Sequence, residues 1–290
     1  MKLNQLRWIY LIALSIIWGS SFILMKYALV GLSAIQVGAL RVLITAIFLV
    51  LIGFKRIFKI EKRHWLYLIL NGFIGSFIPA FLMAYTVEKM DSAIVSILNS
   101  LTPLNTLIFG ALIFGFGFKK RQLMGVLIGL FGTLMLILKG AELNPNQDYF
   151  YSSFILVASI CYALNVNILK KYLYELDALS ITVANFVVLI IPTIFVLFLS
   201  GFFNEFEVNE GTLKGLFYLT ILAIVGTGLA KLMFNRLIQI SSPIFSSSVT
   251  YLIPIVAITW GILDGEKITL YQFFAAFIII LGVYIVNKAK

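Results

Sequence analysis

Charge is scarce in this chain: of 290 residues, Asp, Glu, Lys and Arg make up 12%, against about a quarter in soluble domains. Hydrophobic residues reach 61% and mean hydropathy is +1.05. That balance excludes a soluble globular domain and indicates a polytopic membrane protein. Cysteine is nearly absent, and Cys161 alone excludes an intrachain disulfide. It lies in an apolar run, where it reads as an inert packed thiol. With one histidine, His64, the chain has no zinc-binding spacing; it also lacks a phosphate loop and a G-x-S-x-G nucleophile turn. Nothing here supports an enzyme, a metal or a cofactor. The twelve acids all fall in loops or at the ends of apolar runs, Glu88 being the most nearly embedded. Obligatory proton coupling through a midplane acid is thereby disfavoured, while sodium held by backbone carbonyls stays open.

What the chain has instead is apolar length. About 20 apolar residues cross a bilayer. Ten runs satisfy that length, near 8–30, 34–53, 65–88, 92–115, 121–139, 150–171, 178–200, 213–236, 242–263 and 268–287. The first run lacks a signal-peptidase site and reads as a retained helix. Ser33 and Asp177 are suited to cap the second and seventh. With the N-terminus inside, 15 Lys and Arg fall in inner loops and ends and four on the outer side; Lys26, Arg41 and Lys231 lie within spans. The positive-inside rule therefore places both termini in the cytoplasm. The net charge of +10 follows from that topology and from anionic headgroups, so no nucleic-acid partner is expected.

A weak internal repeat runs through these spans. A shift of 144 lays "ALSIIWGSSFILMKY" (13–27) on "VASICYALNVNILKK" (157–171), and a shift of 151 lays Gly75 on Gly226 and Pro103 on Pro254. After a one-residue slip, Gln122 meets Gln272 and Gly132 meets Gly282. Each half has an odd number of spans, so the second is inverted relative to the first. The expected fold is all-α, with ten transmembrane helices as two inverted five-helix repeats: 1–140, an outer connection at 141–149, and 150–290. Inverted repeats of this kind are a transporter architecture with its site near the midplane.

Polar stripes mark candidate lining. In the fourth span Ser96, Asn99, Ser100 and Pro103 share one helical face, and Ser247, Thr250, Tyr251 and Pro254 repeat the pattern in the ninth. Each proline breaks its helix and should free the carbonyl of Asn99 or Thr250. Such carbonyls are tolerated in a bilayer where a cavity, water or a ligand replaces the lost bond. Kinked packing helices joined by Ser and Asn are the alternative. In the first span Ser15, Trp18, Gly19, Phe22 and Lys26 share a face, mated by Tyr162 and its neighbours in the sixth. Ser20 and Ser21 lie off that face and read as helix-to-helix hydrogen bonders. Thr227, Lys231 and Asn235 form the stripe of the eighth span, with Lys231 the cation best placed to face the interior. Lys26 and Arg41 lie near outer ends, either snorkelling to the interface or orienting an anionic group at the outer mouth. Interior cations without counter-anions favour a cargo bearing a carboxylate or phosphate. Gly125 and Gly129 read as a packing face.

These residues resemble the drug/metabolite transporter superfamily, specifically its EamA-type carriers. The resemblance rests on "WGSSFILMK" (18–26), "LSAIQVGALR" (32–41), "SLTP" (100–103), "YLIP" (251–254) and "LDGEKIT" (263–269). The first half departs from the pattern, with Gly115 where the family usually has the acid of a Gly-Glu turn. The resemblance implies an inner-membrane carrier, an exporter or facilitator of amino acids or related zwitterionic or anionic metabolites. The expected cavity contacts are Trp18, Ser96, Asn99, Ser100, Tyr162, Lys231, Asn235, Ser247, Thr250 and Tyr251, with Trp18 and Tyr162 as stacking or gating surfaces. Expected partners are a small-molecule substrate and the lipid bilayer, the chain acting as a monomer or homodimer. Carriage of nucleotide-linked or drug-like solutes is the alternative, as is a channel, scramblase or sensor.

Overall fold

The computed structural model describes residues 3–117, 119–143, 148–266 and 269–288, and over them the chain is all-helical. Helix α1 (Leu3–Ala28) leads to α2 (Ala34–Gly53). The latter starts in a capping box, the Ser33 hydroxyl accepting from Gln36 N while the Gln36 side chain accepts from Ser33 N. A 3-10 stretch (Phe54–Lys59) follows. Next, α3 (Lys62–Gly72) continues through a π-helical stretch (Phe73–Phe77) into α4 (Ile78–Lys89). Between α5 (Ser92–Asn99) and α6 (Thr102–Leu112) the helix is broken. Pro103 sits in the first turn of α6, where its missing N–H costs no hydrogen bond. Helix α7 (Lys120–Leu143) ends the first half.

The second half repeats the series. A 3-10 turn at Tyr149–Tyr151 opens α8 (Ser152–Tyr172). Asp177 caps α9 (Ala178–Val187) by accepting from Ser180 N, and α10 (Ile190–Leu199) and the short α11 (Phe202–Glu205) follow. Asn209 caps α12 (Glu210–Ala223), which passes through a second π-helical stretch (Ile224–Leu229) into α13 (Ala230–Ile240). A broken helix comes next: α14 (Pro243–Ser247), a 3-10 piece (Ser248–Tyr251) and α15 (Ile253–Leu263). Helix α16 is Leu270–Lys288.

Element boundaries recur at fixed spacing. α2 and α9 open 144 residues apart, at Ala34 and Ala178. The π stretches open at Phe73 and Ile224, and α6 and α15 at Thr102 and Ile253, each pair 151 apart. Beyond those helices the spacing drops to 150, shared by the left-handed glycines Gly115 (φ 74°) and Gly265 (φ 86°). The Gly-Glu turn therefore aligns with Gly115-Phe116, and Phe116 rather than Gly115 stands where the second half has Glu266. The slip therefore already precedes Gly115, ahead of the Gln122–Gln272 match.

Among the described residues, eight helical stretches are long and apolar enough to cross a bilayer. The runs expected at 121–139 and 268–287 are helical, as α7 and α16, but neither is one of the eight; Leu270–Gly282 is a shorter apolar stretch. Of the expected connection at 141–149, residues 141–143 are in α7, 144–147 lie outside the described residues, and 148–149 lead into the next turn. Helices α7 and α16 lie along each other, so close at Gly282 that a Cβ there would sit 2.6 Å from the Gly125 carbonyl oxygen. Helix α1 packs on α12, α13 and α15, whereas α8 packs on α3, α4, α5 and α6. The first helix of each half is thus embedded among helices of the other. Outward faces are apolar, with Leu51, Ile191, Phe195, Phe198 and Phe277 exposed, as a lipid-facing surface requires.

Candidate binding cavity

The two π stretches set the geometry. A π turn displaces the helical hydrogen-bond register and leaves carbonyls open to side chains. The Gly75 carbonyl accepts from Lys231 Nζ, and the Gly226 carbonyl accepts from Trp18 Nε1 at 3.0 Å. Each bond joins one half of the chain to the other. Both positions require glycine for close approach: the Asn165 amide fills the space beside Gly75, and Ser21 Oγ lies 2.7 Å from where a Gly226 Cβ would be.

Between these contacts lies a cavity of about 80 Å³ lined from both halves. One set of lining groups is cationic. Arg41 points in from α2, its Nε donating to Thr227 Oγ1 at 2.7 Å. Lys231 comes from α13, its Nζ 5.5 Å from the centroid of the Tyr162 ring. The other set comes from the two helix breaks, which pack against one another and contribute Asn99, Thr102, Ser247 and Thr250. Trp18, Phe22 and Phe234 supply aromatic walls, with the Trp18 and Phe234 rings edge to face at 4.9 Å. Among the described residues no carboxylate lines the cavity.

Of the residues singled out from sequence, Trp18, Asn99, Tyr162, Lys231, Ser247 and Thr250 are lining residues. Arg41 joins them: its side chain faces the cavity. Ser96, Ser100, Asn235 and Tyr251 are not in the lining. Ser96 and Ser100 donate to the carbonyls of Ala93 and Ile97, and Asn235 Nδ2 donates to Thr182 Oγ1 at 2.9 Å. For Ser100 and Tyr251 the physical reason is the break itself. A face defined by i, i+3, i+4 and i+7 exists only on an unbroken helix, and the chain turns at Ser100–Leu101. Pro103 and Pro254 do start new helices, but the Asn99 carbonyl is not orphaned: Thr102 Oγ1 donates to it at 2.8 Å. The residues before each proline, Thr102 and Ile253, line the cavity and were missed. Their signal was their place as repeat mates one position before the prolines. Ser21 also lines it, although Ser20 does bridge helices as expected, accepting from Trp260 Nε1 at 3.0 Å.

Lys26 is not a free cation. Its Nζ lies 2.6 Å from Asp264 Oδ2 and 3.0 Å from Glu266 Oε1, so the anionic groups it faces are the chain's own. Glu266 is buried, and its carboxylate accepts from Ser92 Oγ at 2.8 Å and from the backbone N–H groups of Ser92 and Ala93. An anion is thereby seated at the N-terminus of α5, where unpaired N–H groups favour it. The cluster ties the 264–266 turn of the second half to α1 and α5 of the first. Asp264 also accepts from the Tyr27 hydroxyl.

Comparison with known proteins bears on this arrangement. The chain matches the EamA-like transporter family over residues 6–138 and 150–288. It is 26% identical over 298 residues to the uncharacterized inner membrane transporter YedA of Escherichia coli (strain K12), covering 100% of this chain and 94% of that one. It is 25% identical to a probable amino-acid metabolite efflux pump of Salmonella typhimurium, covering 93% and 91%. Identity to the uncharacterized transporter YoaV of Bacillus subtilis is 23%, covering 94% of each. A solved crystal structure superposes with a TM-score of 0.67 over 96% of this chain and 95% of its own, at 15% identity. That likeness extends to the fold.

Proposed function

The chain belongs to the EamA-like transporter family, and from that premise we propose that it carries small polar metabolites bearing a carboxylate, amino acids foremost, by alternating access. It is a membrane transporter and not an enzyme. The observation that carries the cargo reading is the cavity: Arg41 and Lys231 face it, and no acid among the described residues neutralises them there. Charges held in a low-dielectric site are costly without a partner, and an anionic group on the cargo supplies one. The name of the Salmonella relative, an amino-acid metabolite efflux pump, accords with this class. Size favours a compact solute over a nucleotide-linked or drug-like one. An apolar cavity of roughly 150 Å³ accommodates benzene, and this one measures about 80 Å³.

In this reading the chain forms ten transmembrane helices as two inverted repeats, 1–140 and 150–290, in the inner membrane with both termini cytoplasmic. The recurring element boundaries, the paired π stretches and the paired proline-started helices support the repeat. Exchange between the packings of two similar halves opens the cavity to one side and then the other. The binding residues are Trp18, Arg41, Asn99, Tyr162, Lys231, Ser247 and Thr250. A thermal-shift screen of purified protein against amino acids, sugars and organic cations tests the class. Stabilisation by carboxylate-bearing solutes is expected, and stabilisation by cationic solutes alone overturns it.

A further inference from the structure

The Gly75 carbonyl has a fixed deficit. In an α-helix it would accept from the N–H four residues on, but that residue is Pro79, in the first turn of α4, which has none. Gly75 is buried, and a buried carbonyl needs a donor from somewhere. Here Lys231 Nζ supplies it from the other half of the chain.

The matching position is filled differently. Trp18 and Tyr162 are 144 residues apart, the spacing at which α2 and α9 open. Gly75 and Gly226 are 151 apart, the spacing of the two π stretches. Helix α1 packs on the second π stretch and α8 on the first. From α1, Trp18 Nε1 donates to the Gly226 carbonyl at 3.0 Å. The corresponding bond would run from the Tyr162 hydroxyl on α8 to the Gly75 carbonyl, and it is not made. Lys231 holds that carbonyl instead, its Nζ 5.5 Å from the centroid of the Tyr162 ring. The Tyr162 residue lines the cavity, and its hydroxyl has no hydrogen bond among the described residues. Gly75 is close at hand: Asn165, three residues along α8 from Tyr162, already fills the space beside it. Two donors, one charged and one neutral, thus stand at a single acceptor.

An anion acts on the two donors unequally. An ammonium gains by exchanging a neutral carbonyl for a carboxylate, because bonds between charged partners are about twice as strong. A phenol hydroxyl has no such pull and serves the carbonyl well. We propose that the Gly75 carbonyl is handed from Lys231 to Tyr162 when cargo enters: Lys231 turns to the cargo's carboxylate, and the Tyr162 hydroxyl takes the carbonyl it leaves. This rests on the anionic-cargo reading above and makes Tyr162 a positioning residue, acting on the cargo through Lys231. Without the exchange, each binding event would strand a buried carbonyl and forfeit part of the attraction. With it, both π-stretch glycines are bonded by the aromatic residue of the opposite half's first helix.

Thermal melts of the empty full chain in detergent, with calorimetric titration of alanine and lactate, test the exchange. Tyr162→Phe removes only the hydroxyl, which is unpaired on the empty chain. Its melting temperature should therefore stay within about 1 °C of the parent's, whereas alanine should bind about 5- to 50-fold more weakly, the scale of a buried carbonyl left without a donor. In a Lys231→Met background the carbonyl passes to Tyr162 without cargo. Adding Tyr162→Phe there should lower the melting temperature by roughly 2–4 °C. The first comparison needs Tyr162→Phe alone, so it decides the matter even if Lys231→Met does not fold. An equal loss of melting temperature in both backgrounds overturns the exchange, because the hydroxyl would then act independently of Lys231. No loss in the Lys231→Met chain overturns it too. Alanine affinity unmoved by Tyr162→Phe also overturns it; if Lys231→Met still weakens alanine, the anionic-cargo reading stands. If neither alanine nor lactate binds the parent chain, the cargo reading and the exchange fall together.

Discussion

At Asp264 the Lys26 cluster has a carboxyl whose titration can be read. The hydrogen bonds from Lys26 and then Tyr27 hold it below the usual carboxylate value. A carboxyl depressed in the folded state contributes stability that is complete above its unfolded value, about pH 4. That contribution is lost as pH falls through the folded value. Thermal melts in detergent should therefore keep this contribution from pH 8 to 5 and lose it below 4. Asp264→Asn should lower the melting temperature at neutral pH and flatten that acid limb. An acid limb identical in the two proteins would show that this carboxyl does not contribute. Lys26 could not be read this way from sequence, because Asp264 and Glu266 lie some 240 positions away and only the folded chain brings them to it. For Arg41 the sequence left two directions open for a related reason: depth along a span is legible in a sequence, but the direction of a long side chain is not.

At the scale of elements, much was legible where the code is local. The capping residues Ser33 and Asp177 open their helices as expected, and Pro103 and Pro254 mark where α6 and α15 begin. The π stretches were not legible, because an inserted residue in a helix leaves no periodic signature over so short a run. Their only trace was the Gly75–Gly226 match. Of the polar faces of the fourth and ninth spans, Asn99, Ser247 and Thr250 line the cavity, whereas Ser96, Ser100 and Tyr251 do not. The π geometry makes its own prediction. A side chain at Gly226 would meet Ser21 Oγ at 2.7 Å and Leu222 Cδ1 at 3.1 Å, and it would press on the helix that Trp18 anchors. Gly226→Val should cost about 1–3 kcal/mol as an overpacked contact, read as a lower melting temperature. A melting temperature equal to the parent chain's would mean that the π stretch yields without strain.

For the whole molecule, the account depends on two halves of opposite orientation. Arg63 at the start of α3 and Lys214 in α12 are 151 residues apart, the spacing of the third and eighth spans. An inverted repeat puts them on opposite faces of the membrane. In a Cys161→Ala background, Lys214→Cys should react with an impermeant maleimide from outside, and Arg63→Cys only after permeabilisation. Labelling of both from one side contradicts the inversion.

The cavity between the halves is the centre of the account, and transport itself tests it most directly. Purified protein in liposomes loaded with unlabelled alanine should take up labelled alanine by saturable counterflow. Lys231→Gln and Arg41→Gln should each reduce that rate at least tenfold, while the protein remains folded by thermal melt. Unsaturable leak, or counterflow that both substitutions leave unchanged, would contradict a carrier whose cargo is held at Arg41 and Lys231.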